Sequence, residues 1–203
     1  MIDKTALFKI SYGLYLLSAT DNDKDNACIV DAFMQVTATE PAICALSVNK
    51  QNFTHDLIFK TGKFNVSVLT VETPYQVFER FGLQSGKYVD KFAGFTENIE
   101  RSKNGLIYLK EHTNAFMSFE VLDCVDFDTH TVFKAKITES SILSIGECVT
   151  YDYYRKHIKA SVGGAAKGWV CNVCGYVHNG VDLPSSYKCP VCTVDATNFT
   201  KLS

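Results

Sequence analysis

Between residues 8 and 142, short runs rich in valine, isoleucine, phenylalanine and threonine alternate with glycine, asparagine and aspartate. Runs of this kind, bounded by turn-forming residues, predict β-strands. Because no long helical pattern separates them, the strands indicate an antiparallel barrel. The predicted strands are residues 13–19, 28–38, 43–48, 64–69, 106–109, 115–125 and 131–137.

Two short helices are predicted among the strands. The first covers residues 52–60 and has Asn52 or Thr54 near its start, where either side chain can cap a helix. The second covers residues 74–81 and begins with Pro74 in its first turn.

A stretch of small residues and glycines, 160–168, divides the chain into two parts of unequal size. If it behaves as a flexible coil, it spans about 15 to 18 Å, so we interpret it as a tether. The expected domains are therefore residues 1–159 and residues 169–203.

The small domain contains four cysteines in two CxxC pairs, with fourteen residues between the pairs. Two thiolates at the CxxC spacing can point at one centre. Two such turns facing each other make a tetrahedral four-sulfur site that suits iron or zinc. Trp169, Tyr176 and Phe199 supply the aromatic core that so small a metal domain needs. The predicted ligands are Cys171, Cys174, Cys189 and Cys192.

Charge and hydropathy narrow the class of protein. The net charge is −2, and the small domain balances Lys188 and Lys201 against Asp182 and Asp195, which argues against nucleic-acid binding. No apolar run reaches the roughly 18 residues of a membrane span, and no signal peptide is evident, so we expect a cytoplasmic protein. Three other cysteines lie in apolar runs and are expected to be inert core thiols: Cys44, Cys124 and Cys148.

The residues around the paired cysteines read Trp169-Val170-Cys171-Asn172-Val173-Cys174-Gly175-Tyr176 and then Lys188-Cys189-Pro190-Val191-Cys192. They resemble rubredoxin, a one-iron electron carrier. The loop between the pairs is shorter than in free-standing rubredoxins, and Thr193 stands where a second glycine is usual. The resemblance implies iron, with zinc as a substitute. On the cysteines alone, a structural zinc ribbon is the alternative.

A second resemblance is carried by ten stretches of the larger domain: 11–15, 25–29, 34–37, 45–50, 53–55, 64–69, 81–82, 85–87, 90–92 and 129–131. In this order they resemble the flavin reductase-like split barrels that bind FMN, such as flavoredoxin. The resemblance implies a mainly β fold: an FMN-binding split β-barrel with inserted helices, followed by a rubredoxin-like metal domain. The whole chain resembles the high-molecular-weight rubredoxins of anaerobic bacteria, which pass electrons from NADH toward flavodiiron proteins.

Polar residues meet where the third predicted strand runs into the first predicted helix. Ser47, Asn49, Lys50 and Thr54 offer hydroxyls, an amide and a cation, which the phosphate of FMN needs at a helix start. We interpret them as the phosphate site. The alternative is that Ser47 and Asn49 are ordinary polar residues at a strand end, and that Thr54 caps the helix.

The resemblance also places residues against the isoalloxazine ring, where donors and positive charge favour the reduced flavin. The alternatives are a polar turn for the first residues, a solvated surface for the lysines and the histidine, and packing for the tyrosine. The residues are Asn26, Cys28, Gln35, Ser85, Gly86, Lys87, Lys91, His130 and Tyr154.

A nicotinamide donates two electrons as a hydride, one iron ion accepts a single electron, and a flavin can do both. The two domains therefore predict an NAD(P)H-dependent electron-transfer flavoprotein whose iron module reduces a partner protein, without a catalytic triad. The resemblance implies a flavodiiron oxygen or nitric oxide reductase as the partner, and a homodimer. The alternative is an NAD(P)H-dependent reductase of flavin or another small acceptor, with a structural zinc ribbon. A non-enzymatic adaptor is disfavoured by the nearly neutral tail.

Overall fold

The structure, a computed structural model, describes residues 9–22, 24–159, 168–172, 176–178, 180–189 and 194–202. Residues 12–153 form one compact unit, and the described residues outside this range belong to a second. Among the residues described, no helix is long and apolar enough to cross a membrane.

The first unit is built mainly of antiparallel strands. They are β1 (Tyr15–Asp21), β2 (Lys24–Val30), β3 (Phe33–Gln35), β4 (Ile43–Asn49), β5 (Lys63–Leu69), β6 (Ile99–Arg101), β7 (Ile107–Leu109), β8 (Thr113–Asp126) and β9 (His130–Ile142). Seven of them form one sheet in the order β2-β1-β5-β8-β9-β4-β3, while β6 and β7 form a separate hairpin. The expectation of a mainly β, antiparallel domain is confirmed.

The single strand predicted over residues 28–38 is wrong, because a turn divides it. Strand β2 ends at Val30 and β3 begins at Phe33. The Phe33 amide donates to the carbonyl of Asp31 at 3.1 Å, a three-residue turn. The apolar run on both sides of Asp31 concealed this turn in the sequence.

Two helices connect strands of the first unit, as predicted. Helix α1 (Phe53–Thr61) follows β4, with Asn52 at its N-cap position, although the Asn52 side chain makes no capping hydrogen bond. It ends at Gly62, whose φ of 68° favours glycine. Helix α2 (Tyr75–Gly82) begins after Pro74.

Aromatic and aliphatic side chains fill the interior of the first unit. Phe64 stacks on Phe119 with ring centroids 4.9 Å apart, and Phe33 meets Phe119 edge-on at 5.6 Å. Leu46 and Phe133 are buried in the same cluster. The contacts bring β3, β4, β5, β8 and β9 together around one core.

A buried asparagine joins the β6–β7 hairpin to the sheet. Asn65 on β5 donates through Nδ2 to Ser102 Oγ at 2.8 Å and to the carbonyl of Leu106 at 3.0 Å. Its Oδ1 accepts from Asn104 Nδ2 at 2.9 Å. Because Asn65 is fully buried, these bonds replace the water that its amide loses on folding.

The second unit contains a short three-stranded sheet in the order β11-β10-β12. Its strands are β10 (Gly168–Cys171), β11 (Val177–His178) and β12 (Phe199–Leu202), and a π-helical turn spans Tyr154–Lys159. Of the predicted linker, residues 160–167 lie outside the described residues, and Gly168 is the first residue of β10.

Replacing Asn65 by alanine is expected to lower the free energy of unfolding by about 2–4 kcal/mol, because each buried group left unpaired costs about 1–3 kcal/mol. Urea unfolding followed by circular dichroism measures this loss. Asn52→Ala is the control: its side chain makes no capping hydrogen bond, so the loss is expected to stay below about 1 kcal/mol. Equal losses in the two variants would contradict the role given to Asn65.

Candidate functional site

The outer face of β4 brings three predicted site residues together. Every second residue of β4 is buried in the interior, so the intervening Ser47 and Asn49 point to the outer face. The neighbouring strand β9 places His130 opposite Asn49 and Val132 opposite Ser47. Opposite residues of an antiparallel pair share one face, with Cβ atoms about 4.5–5.5 Å apart. Ser47, Asn49 and His130 are therefore neighbours.

The connection from β4 to α1 is held against the turn between β8 and β9. The Lys50 amide donates to the carbonyl of Thr129 at 3.0 Å, and the Gln51 amide donates to Asn49 Oδ1 at 2.8 Å. The Lys50 ammonium lies 2.7 Å from the carboxylate of Asp126, and this hydrogen bond is the main cause that lowers the pKa of Asp126. A cation thus lies near the N-terminus of α1, where helix geometry favours an anion.

Asp31 belongs beside this group, although the sequence reasoning did not select it. Burial raises the pKa of its carboxyl group, while nearby backbone amides and the charge of His130 lower that pKa. The Ser47 amide donates to the carbonyl of Ala32 at 2.9 Å, which fixes the turn of Asp31 against β4. The available signal was an acidic residue inside an otherwise apolar run.

A second group of predicted residues is buried between β2, α1 and the loop 85–92. Asn26 Nδ2 donates to Thr54 Oγ1 at 2.7 Å, and both residues are buried. A Cβ atom at Gly86 would lie 1.9 Å from Asn26 Oδ1, so a larger residue there would displace the Asn26 side chain. Because the Thr54 hydroxyl is enclosed by this contact, the structure favours a packing role for it over the phosphate contact predicted from the sequence.

Lys91 belongs to the same buried group and is only 4% exposed. Its ammonium donates to the carbonyls of Ala27 at 2.8 Å and Phe81 at 3.0 Å. Phe81 lies in the last turn of α2, where the helix dipole favours a cation. Burial lowers the pKa of Lys91, and burial raises the pKa of the neighbouring Cys28 thiol.

A cavity of about 440 Å³ opens beside this group, a size typical of ligand sites. The Lys87 ammonium lies 3.4 Å from the carboxylate of Asp56 on α1, and the Lys87 amide donates to Ser85 Oγ at 3.3 Å. Two lysines, Lys24 and Lys87, line the cavity. The lining residues are Asn22, Lys24, Asp25, Gly86, Lys87, Tyr88, Val89, Asp90 and Phe92.

Two further residues predicted to contact the flavin lie on β3 and on the π-helical turn. Gln35 is exposed on β3, opposite Cys44, and its amide donates to the carbonyl of Thr37 at 2.8 Å. Tyr154 begins the π-helical turn and belongs to the second unit. The roles predicted for Gln35 and Tyr154 stay predictions.

Two of the four predicted metal ligands lie within the described residues. Cys171 and Cys189 are 0% and 1% exposed and share one apolar cluster with Phe199. Trp169, Tyr176, Leu183, Tyr187 and Val194 pack against that cluster. Cys174, Cys192 and the unusual Thr193 lie outside the described residues.

The described residues on either side of each predicted CxxC pair are joined in the same way. The Cys171 amide donates to the carbonyl of Tyr176, and the Cys189 amide donates to the carbonyl of Val194, each at 2.8 Å and each five residues further on. Matching hydrogen bonds beside two buried thiols fit a site to which each predicted CxxC pair contributes its sulfur atoms. Four thiolates in such a site hold iron or zinc.

The remaining cysteines differ in exposure. Cys44 is buried, as predicted, and burial raises the pKa of its thiol. Cys124 is half-buried. Cys148 is exposed, with Asn114 Nδ2 3.0 Å from its sulfur, so the prediction of a core position for Cys148 is wrong.

Comparison with known families agrees with this architecture. A family model for the flavin reductase like domain matches residues 7–160, and a model for the rubrerythrin, rubredoxin-like domain matches residues 169–200. The chain therefore belongs to the flavin reductase-like family and carries a rubredoxin-like domain after the barrel.

Individual proteins align with nearly all of the chain or with part of it. The chain is 32% identical to the high molecular weight rubredoxin of Moorella thermoacetica over 99% of this chain and 100% of that protein. It is 33% identical to the ferric-chelate reductase (NAD(P)H) of Archaeoglobus fulgidus, over 75% of this chain and 89% of that protein. Flavoredoxin from Methanosarcina acetivorans superposes with a TM-score of 0.61 at 21% identity, covering 73% of this chain and 80% of that one. The predicted split-barrel fold is confirmed.

Replacing Cys171 by serine is expected to remove most of the metal from the purified full-length protein, because one of four thiolates is lost. Metal analysis and the visible absorption of thiolate-bound iron measure the loss. Cys124→Ser, a half-buried cysteine of the barrel, is the control and is expected to keep its metal. Full metal content in Cys171→Ser would contradict the assignment.

The buried ammonium of Lys91 makes a prediction about pH. Because folding lowers the pKa of Lys91, the unfolded chain binds this proton more tightly, and stability rises with pH above the folded pKa. The wild type should therefore gain stability relative to Lys91→Met as the pH approaches about 10.4, the unfolded value. Urea unfolding at neutral and alkaline pH measures the change.

Lys103→Met is the matched control, because the Lys103 side chain is 88% exposed. Its stability difference from the wild type should respond to pH less than that of Lys91→Met. If the stability difference between the wild type and Lys91→Met stays constant with pH, or moves in favour of the variant, burial does not lower the pKa of Lys91.

Proposed function

We propose that this protein accepts hydride from NAD(P)H on bound FMN and passes single electrons, through an iron ion held by four cysteines, to a partner redox protein. A flavodiiron oxygen or nitric oxide reductase is the partner that we infer. The observation that carries the proposal is the presence of both domain families in one chain, aligned along its length with a high molecular weight rubredoxin. FMN supplies the change from two-electron to one-electron transfer.

We assign the FMN phosphate to the start of α1. Lys50 and Lys87 supply cations on two sides of this helix start, and Asn49 and the first amides of α1 supply donors. Ser47 and His130 extend the polar face along β4 and β9, and we place the ring there. We keep Asn26, Cys28, Thr54, Gly86 and Lys91 as the buried wall behind the site, with Ser85, Gln35 and Tyr154 as contacts inferred from resemblance.

We assign the iron to Cys171, Cys174, Cys189 and Cys192. The apolar and aromatic side chains packed around Cys171 and Cys189 limit access of water, which tunes the potential of a sulfur-ligated metal. We keep the domain limits 1–159 and 169–203, with 160–168 as the linker. A tether of this length gives a local concentration on the order of millimolar.

We also propose a homodimer. The outer face that carries Ser47 continues through Val132 to Val125 on β8, which is 56% exposed. Met34 on the edge strand β3 is 63% exposed, and Phe127 beyond β8 is 55% exposed. Large apolar side chains around a polar site are typical of a surface that a second subunit covers.

A second candidate function is NAD(P)H-dependent reduction of a small acceptor by the barrel alone, with a structural zinc ribbon. The observation that favours it is the 33% identity to a relative named ferric-chelate reductase (NAD(P)H), most of whose length aligns with this chain. In this case the metal would carry no electrons.

The two functions are separated by loading full-length protein with FMN and either iron or zinc. When NADH or NADPH is added without air, we expect flavin absorption to be lost in both forms. In the iron form, iron–thiolate absorption should be lost at the same overall rate as flavin absorption. A flavodiiron protein should be reduced by the iron form only. An iron centre that stays oxidised while ferric chelate is reduced equally by both forms would support the second function.

A further inference from the structure

One imidazole links the two lysines that we assign to the phosphate of FMN. On one side, His55 Nδ1 lies 3.2 Å from the carboxylate of Asp56, and the other carboxylate oxygen of Asp56 lies 3.4 Å from the Lys87 ammonium. His55 and Asp56 are neighbours in the first turn of α1, while Lys87 lies in the loop 85–92. This contact ties the loop to the helix start.

On the other side, the same ring reaches the second lysine. His55 Nε2 lies 2.9 Å from Thr131 Oγ1 on β9, and the Thr131 hydroxyl donates to Asp126 Oδ1 at 3.2 Å. Asp126 on β8 pairs with Lys50 at 2.7 Å. We call the six residues Lys87, Asp56, His55, Thr131, Asp126 and Lys50 the His55 chain.

The hydrogen atoms of the His55 chain can be assigned from its hydrogen-bond geometry. A carboxylate only accepts, so the single hydroxyl hydrogen of Thr131 goes to Asp126, and Thr131 must accept from His55 Nε2. Asp56 also only accepts, so His55 Nδ1 must donate to it. Every contact is satisfied when both ring nitrogens carry hydrogen, that is, when the imidazole is a cation.

The net charge of the His55 chain therefore depends on one proton, on the ring of His55. With His55 protonated, three cations face the two carboxylates of Asp56 and Asp126; with His55 neutral, the charges of the chain cancel. A phosphate monoester carries about −1.5 to −2 charges at neutral pH, so it is attracted by the first arrangement and much less by the second. His55 is 9% exposed, which limits screening of its charge.

We propose that His55 is a positioning residue that acts through Asp56 and Asp126 to hold Lys50 and Lys87 and to give the phosphate site its net positive charge. This inference rests on the proposed function, because it presumes that FMN binds at the start of α1. Its consequence is that affinity for FMN depends on the protonation of His55. It does not require His55 to touch the flavin.

Charged groups surround His55 on its own helix and on the neighbouring elements. They are Asp56 on its own helix, Lys87 in the loop 85–92, Asp126 on β8 through Thr131 on β9, and Lys50 after β4 through Asp126. The rings of Phe59 and Phe133 lie 6.0 Å and 5.7 Å from the imidazole and carry no charge.

The test compares FMN with riboflavin, which lacks the phosphate. Dissociation constants of both ligands are measured on the full-length protein by flavin fluorescence between about pH 6 and about pH 8, where an imidazole titrates. For His55→Gln we expect FMN binding about tenfold weaker at the low end of this range, an effect that shrinks as the pH rises. Riboflavin should bind equally well to both proteins.

The matched control is Lys60→Gln. Lys60 lies in the last turn of α1 and pairs with Asp21 at 2.5 Å, so the variant removes an ion pair of the same helix away from the site. Its FMN affinity should equal that of the wild type at every pH. The ionisation of free FMN is common to all proteins and cancels in each comparison.

The other outcomes distinguish a failure of this inference from a failure of the proposed function. A loss in His55→Gln that is constant with pH, or that is equal for riboflavin, means that His55 only packs, and overturns this inference while the proposed function stands. A wild type that binds neither flavin overturns both. If His55→Gln does not fold, Thr131→Val keeps the imidazole but breaks its link to Asp126, and it should weaken FMN binding without weakening riboflavin binding; equal effects on both flavins, or none, overturn the inference.

Discussion

Packing of the inward side chains of β4 against the aromatic core is the constraint on which the rest of the site depends. Leu46 and Val48 are fully buried with Phe64, Phe119 and Phe133. Because side chains alternate along a strand, this packing leaves the residues between them on the opposite face. A slip of one residue would exchange the two faces. The core therefore decides which side of the sheet can receive a ligand.

The two polar groups of the barrel meet different physical requirements. Asn26, Thr54 and Lys91 are buried, and their polar atoms bind one another or backbone carbonyls, as a low-dielectric interior demands. Ser47, Asn49 and His130 are half-buried on the outer face, with some of their polar surface open to solvent, and Lys50 after β4 is half-buried as well. The polar side chains that reach solvent are thus different from those in the buried group between β2, α1 and the loop 85–92.

Local patterns in the sequence predicted what local physics controls. The β-forming residues of 43–48 predicted β4, and Asn52 and Pro74 predicted the starts of both helices within one residue. The cysteine pairs and the residues around them predicted the rubredoxin-like domain that a family model matches at residues 169–200. The turn at Asp31 was missed because an apolar run can continue as one strand or bend, and tertiary hydrogen bonds to β4 decide which.

The candidate site was predicted only in part, because its contacts join distant parts of the chain. The resemblance selected Asn26, Thr54 and Gly86. It did not indicate that Asn26 lies against the other two, which are 28 or more residues away in the sequence. His55 and Thr131 are 76 residues apart, and no local pattern indicates that they meet. Exposure of Cys148 was equally hidden, since an apolar neighbourhood in sequence does not fix which face a residue takes.

Helix α1 directs three consecutive side chains to three different partners: Thr54 to β2, His55 to β9 and Asp56 to the loop 85–92. Successive residues of a helix differ in direction by about 100°. One residue inserted into α1 between Thr54 and Asp56 would change the angle between their side chains by that amount and separate partners that they now reach together. The spacing of these three residues is therefore fixed by three separate contacts, and insertions in the barrel should fall in loops.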